Sequence, residues 1–205
     1  MKKFDILYLA LPLVLWPLVF IVFQNLFVYA MSVATLILAS LTAWRYRKLV
    51  KLRSGRALRI VSVGIVGAVL LYLVFYAGYY LAVAAGLVSY VNLVYSMIYA
   101  QGSKLLIFAL LAVIGICEEV YWRGGLQGYV AKSSSRFSKS PWILTTAYYS
   151  LVHLATLNPI LVLAAFFVGL ITSFSANRYG IAASIIAHVA WIEAIIIFLP
   201  VIVVH

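Results

Sequence analysis

Long apolar runs recur along this 205-residue chain, each of about 18 residues or more, with polar loops between them. A run of that length crosses the roughly 30 Å hydrocarbon core as an α-helix, which satisfies its own backbone hydrogen bonds. Composition agrees. Hydrophobic residues make up 67% of the chain and charged residues 9%, whereas soluble domains are about a quarter charged. The alternating ten-residue segments of a membrane β-barrel are absent. The chain is therefore read as an all-α polytopic membrane protein.

Seven spans are predicted, at 6–23, 26–44, 60–84, 104–130, 141–157, 159–176 and 181–203. The basic, apolar start "MKKFDILYLALPLVLWPLVF" lacks a small-residue cleavage site and is read as a retained first span. The stretch "LVSYVNLVYSMIY" is short and contains Asn92; it is read as interfacial or re-entrant, with an eighth span as the alternative. Residues 1–103 form N-terminal helices with a basic loop, and 104–205 a second set of helices, in one membrane domain.

Charge selects seven spans over eight. Lys2 and Lys3 precede the first helix, and Arg45, Arg47, Lys48, Lys51, Arg53, Arg56 and Arg59 follow the second. Arg123, Lys132, Arg136 and Lys139 close the fourth, and Arg178 follows the sixth. With seven spans all of these share one side and only Lys104 lies opposite. The positive-inside rule then sets the N-terminus in the cytoplasm and the C-terminus outside, in the cell membrane. The net charge of +11 is thereby read as topology and headgroup contact rather than nucleic-acid binding. The single Cys117 offers neither an internal disulfide nor a CxxC metal site.

Two of the four acidic residues stand side by side within "GICEEVYWRGGLQG", residues 115–128. Ionisable groups inside a span cost about 2.5–3.5 kcal/mol each on the insertion scale, so they mark function or a specific partner. Here they are Glu118, Glu119 and Arg123 on the fourth span, His153 on the fifth, and His188 and Glu193 on the seventh. Residue counts place Glu118, His153 and His188 at similar depths, which predicts one shared cavity open to the cytoplasm. Adjacent residues on a helix point about 100° apart. Glu119 is expected to pair with Arg123 at i+4, leaving Glu118 for the cavity. A carboxylate with imidazoles suits general-base activation of water and equally a zinc site formed by Glu118, His153 and His188. A structural Glu119–Arg123 pair and two hydrogen-bonded core histidines are the plainer reading of the same residues. Gly124, Gly125 and Gly128 are expected to allow close helix approach.

These residues resemble a known family. "EEVYWR" matches the EExxxR motif of the CAAX-protease and bacteriocin-processing (CPBP, or Abi) intramembrane endopeptidases. "YSLVH" is similar to the second motif, with Tyr149 where Phe is usual, and "GIAASIIAHVAWIEA" to the third. The resemblance covers the fourth to seventh helices. It implies peptide-bond hydrolysis in the membrane, with Glu118 as general base, His153 holding the water and His188 stabilising the oxyanion. Glu119 and Arg123 would orient these groups. The same Glu and His residues would be zinc ligands in a metalloprotease mechanism; a metal-free mechanism explains them equally. The substrate would be a peptide or protein, membrane-embedded or prenylated.

One position departs from the pattern. Residue 192 is Ile, where the third motif has Asn or Asp. The implied polar partner of the oxyanion is missing, and Trp191 offers an indole N–H nearby. A non-catalytic scaffold or chaperone of the same fold, and a proton-coupled transporter, stand as the alternatives. The absence of HExxH and the presence of a single Asp exclude site-two zinc and aspartyl intramembrane proteases, and the absence of GxSxG weakens a serine mechanism.

Overall fold

The computed structural model describes residues 3–133 and 136–202. Lys2 of the charge argument, residues 134–135 of the basic linker and the chain end placed outside fall beyond the described residues.

Every regular element among the described residues is helical. Helix α1 (Lys3–Pro17) continues as a π turn (Leu18–Val22). Helix α2 (Phe27–Leu41) is entered by a 3₁₀ turn (Gln24–Leu26) and left through a π turn (Thr42–Tyr46) and a 3₁₀ turn (Arg47–Leu49). Helix α3 (Ala57–Ala84) and the short α4 (Val88–Tyr99) follow. Helix α5 (Lys104–Glu119) passes through a π segment (Val120–Leu126) into α6 (Gln127–Lys132). Helix α7 (Pro141–Val152), with a 3₁₀ turn (His153–Thr156), precedes α8 (Pro159–Tyr179) and α9 (Ile181–Glu193), which ends in a π turn (Ala194–Phe198).

Among the described residues, six continuous helical stretches are long and apolar enough to cross a membrane: Asp5–Val22, Gln24–Leu49, Ala57–Ala84, Lys104–Lys132, Pro159–Tyr179 and Ile181–Phe198. They coincide with six of the seven predicted spans. The remaining one, 141–157, is a shorter helix. Pro159 disfavours helical backbone in the residue before it, Leu157 adopts a left-handed φ of 53°, and the Asn158 side chain caps α8 by accepting from the N–H groups of Ile160 and Leu161. Helix α7 therefore stops at His153 and turns back along α8. The stretch expected to be interfacial or re-entrant is α4, too short to span.

Small residues set the closest helix contacts. Helix α3 lies along α9, and a Cβ on Gly64 would stand 2.6 Å from Ile186, so any side chain there would separate the pair. A Cβ on Gly128 would stand 2.8 Å from the carbonyl oxygen of Leu49, which bears out the expected role of these glycines in close approach.

Helix α4 lies across the end of the bundle away from the basic loops. Asn158 Nδ2 donates to the carbonyl of Tyr90 at 3.0 Å. The last carbonyls of a helix have no partner within it; here Tyr95 donates to the carbonyl of Ile195 at 2.8 Å, and Tyr99 to that of Ile196. Helix α1 is held to the rest by Tyr46, which donates to Asp5 at 2.6 Å, and by Tyr121, which donates to the carbonyl of Tyr8 at 2.9 Å. The outward face of α3 carries exposed apolar residues such as Ile65, Val69 and Leu73, as a lipid-facing surface requires.

Candidate active site

The site forms where α5, α7 and α9 meet. Both carboxylates of the EE pair end the regular part of α5, and the π segment begins directly after them. A π segment widens the helix and re-aims the following side chains, and such segments are frequent at functional sites. Tyr121, Trp122 and Arg123, consecutive within it, are all buried.

Glu119 Oε1 is 3.2 Å from Arg123 Nη1, the predicted pair at i+4. The same oxygen accepts from His188 Nδ1 at 2.9 Å. Glu119 therefore serves two partners: the expected Arg123, and His188, which the sequence reading did not give it. A carboxylate facing Nδ1 fixes the hydrogen on that nitrogen and turns Nε2 the other way. Nε2 lies 3.8 Å from Glu118 Oε2, beyond hydrogen-bond length but close enough to share a small ligand. One imidazole thus stands between two carboxylates adjacent in the chain.

Glu118 Oε2 also accepts from the hydroxyl of Tyr149 at 2.8 Å. Its Oε1 is buried without a hydrogen-bond partner. An unpaired buried carboxylate oxygen costs free energy unless a ligand or water engages it, so this atom is the open valence of the site. The Arg123 guanidinium lies over the Tyr149 ring, 4.6 Å from its centroid, and holds the phenol in place through a cation–π contact.

His153 reaches the same cavity but is engaged on both ring nitrogens. Trp16 Nε1 donates to its Nε2 at 3.2 Å, and its Nδ1 meets the carbonyl of Tyr149 at 2.7 Å. An indole N–H only donates, so the Nδ1 hydrogen points at the carbonyl. Trp16 and Trp122 are fully buried and meet edge to face at 5.9 Å. Neither was singled out in the sequence. The one available signal is position, because Trp16 lies deep within a span rather than at its interfacial ends, where aromatic belts are found.

The three residues considered for zinc do not fit it as arranged. Both nitrogens of His153 are committed, which leaves it no lone pair for a metal. Among the described residues no three His, Cys, Asp or Glu side chains converge as a metal-binding group.

Glu118, Tyr149, His153, His188, Trp191 and Ile192 line one wall of a cavity of about 250 Å³ whose other walls are almost wholly apolar. Glu118, His153 and His188 line one cavity, as expected, and its lining extends toward the end of the bundle away from the basic loops. The lining comes from the far end of α3 (Phe75, Tyr79), the start of α8 (Leu161) and α4 (Tyr95, Ile98), all at the end opposite the basic loops. His153 stands at the end of α7 that lies nearest α4 rather than nearest the basic loops.

Glu193 stands outside this cavity lining, buried, with neither carboxylate oxygen hydrogen-bonded.

Fold and site together define an integral membrane protein of helices that gathers carboxylate, phenol and imidazole groups at the head of an apolar cavity. Residues 100–192 match the family described as type II CAAX prenyl endopeptidase Rce1-like, in agreement with the resemblance carried by the motifs. The matched stretch contains Glu118, Glu119, Arg123, Tyr149, His153 and His188, and ends at Ile192. No curated protein and no solved structure matches the chain.

Proposed function

We propose that this protein is an intramembrane endopeptidase that hydrolyses a peptide bond with a water activated by Glu118. The observation that carries the reading is the Glu118 carboxylate itself. It is buried at the head of an apolar cavity, with Oε2 held by Tyr149 and Oε1 open. The family match over residues 100–192 supports the same class of reaction.

The chemistry follows from the geometry. Glu118 takes a proton from water, and the hydroxide adds to the scissile carbonyl carbon. As the C–N bond breaks, Glu118 returns that proton to the leaving amine, as general acid–base catalysis requires. His188, fixed by Glu119 through Nδ1, presents Nε2 to the same space and, carrying a proton there, donates to the developing oxyanion. Glu119 and Arg123 hold His188 and the Tyr149 ring in position. His153 buttresses Tyr149 through that residue's carbonyl, and no step passes through a metal. The apolar walls suit a substrate that brings an aliphatic chain, such as a prenylated peptide, beside the scissile bond.

A non-catalytic scaffold of the same fold is the second reading, favoured by the apolar Ile192 and the engaged His153. Turnover of prenylated and unprenylated peptides by wild type and Glu118→Gln in liposomes separates the two. Cleavage by wild type that Glu118→Gln abolishes supports the enzyme. No cleavage of any peptide by folded wild type supports the scaffold.

A further inference from the structure

We propose that the Tyr149 hydroxyl is the second hydrogen-bond donor to the oxyanion in this protein, beside His188, taking the place of the polar side chain missing at position 192. The inference rests on the endopeptidase reading above. Tetrahedral intermediates of acyl transfer need donors aimed at the oxyanion. Ile192 lines the cavity and has nothing to donate. Lining the same cavity stands a tyrosine, Tyr149, where the motif usually has phenylalanine. The two departures compensate: a donor is lost from α9 and another gained on α7.

The geometry places the phenol at the reacting centre. Its oxygen is 2.8 Å from Glu118 Oε2, and that carboxylate oxygen is 3.8 Å from His188 Nε2. The ring is fixed by Arg123 over its face and by Trp122, edge to face at 5.0 Å. With the ring held, the O–H bond still turns about the C–O axis.

In the resting site the O–H donates to the Glu118 carboxylate. When Glu118 takes the proton of water it becomes a neutral acid and a weaker acceptor, while negative charge develops on the carbonyl oxygen. Hydrogen bonds to charged acceptors are roughly twice as strong as those between neutral groups, so the O–H turns from Glu118 to the oxyanion. The phenol keeps its proton throughout; only the acceptor changes.

Trp191 is the competing donor. It lines the cavity, and its buried Nε1 has no hydrogen-bond partner. Its ring packs against Phe75 at 4.5 Å and His188 at 5.8 Å. An indole N–H cannot turn without moving the whole ring, whereas the phenol O–H can.

The test measures kcat, KM and thermal stability of the full chain in liposomes on one cleavable peptide. It compares wild type, Tyr149→Phe, Trp191→Phe and the double variant Tyr149→Phe/Ile192→Asn. Tyr149→Phe is expected to lower kcat about 10²–10³-fold with KM little changed, the loss typical of one oxyanion donor. Ile192→Asn is expected to restore about tenfold or more of that loss, which a merely structural tyrosine would not allow. The inference is overturned if Tyr149→Phe stays within about threefold of wild type, if the loss falls on Trp191→Phe instead, or if Ile192→Asn restores nothing. Absence of turnover in wild type on every peptide sinks the endopeptidase reading and this inference with it, an outcome distinct from the other three.

Discussion

Trp16 donates its indole N–H to Nε2 of His153 at 3.2 Å, across 137 positions of sequence. The contact joins the first helix, outside the family-matched stretch, to the candidate site. Trp16→Phe removes the donor and leaves a buried gap beside His153. The expected loss is about 1–3 kcal/mol of stability, from the orphaned acceptor and the lost volume. Unfolding in detergent micelles measures it. Unchanged stability would mean that Trp16 only fills space.

Glu118→Gln keeps the shape of the side chain and can still accept from Tyr149, but it cannot take a proton. Hydrolysis is expected to fall by at least about 10²–10⁴-fold, the usual contribution of a general base, with the thermal transition near that of wild type. Peptide turnover and thermal unfolding are measured on the same preparation. Full turnover in this variant would remove Glu118 from the role.

Glu119→Gln is expected to fail differently. The buried Arg123 loses its carboxylate, and breaking a buried pair by removing one partner costs about 3–5 kcal/mol. His188 also loses the charge that fixes its Nδ1 hydrogen. Both stability and turnover should fall, whereas Glu118→Gln lowers turnover alone. A stable, inactive Glu119→Gln would show that the carboxylate orients His188 without supporting the fold.

Glu193→Met is expected to stabilise the protein. Glu193 is buried with neither oxygen hydrogen-bonded, and an unsatisfied buried polar group costs about 1–3 kcal/mol. The melting temperature should rise while peptide cleavage is retained. A fall in stability would reveal a partner for this carboxylate in the membrane.

Arg56→Cys and Ala85→Cys flank α3 at its two ends, both at exposed positions. In a Cys117→Ala background, an impermeant thiol reagent should label them from opposite faces of the membrane, with position 56 on the cytoplasmic side. Labelling of both from one face would reject α3 as a span.

The spans were legible in the sequence because insertion is a local matter. Each apolar run carries its own transfer free energy, and six of the seven predicted helices reappear within a few residues. The glycines at 125 and 128 and the Glu119–Arg123 pair were legible for the same reason, being relations within one segment or its immediate fit. The early end of α7 is also written locally, in Leu157, Asn158 and Pro159, but the apolar run continues through that turn signal and hides it in a hydropathy pattern. What the tertiary structure decided was each relation between helices. His188 came to lie between Glu118 and Glu119, Trp16 came to occupy His153, Tyr149 came to hold Glu118, and the cavity came to extend toward α4. Such contacts depend on the rotation and depth of one helix against another. Side-chain packing and interhelical hydrogen bonds set those, and a hydropathy pattern along a single helix does not contain them.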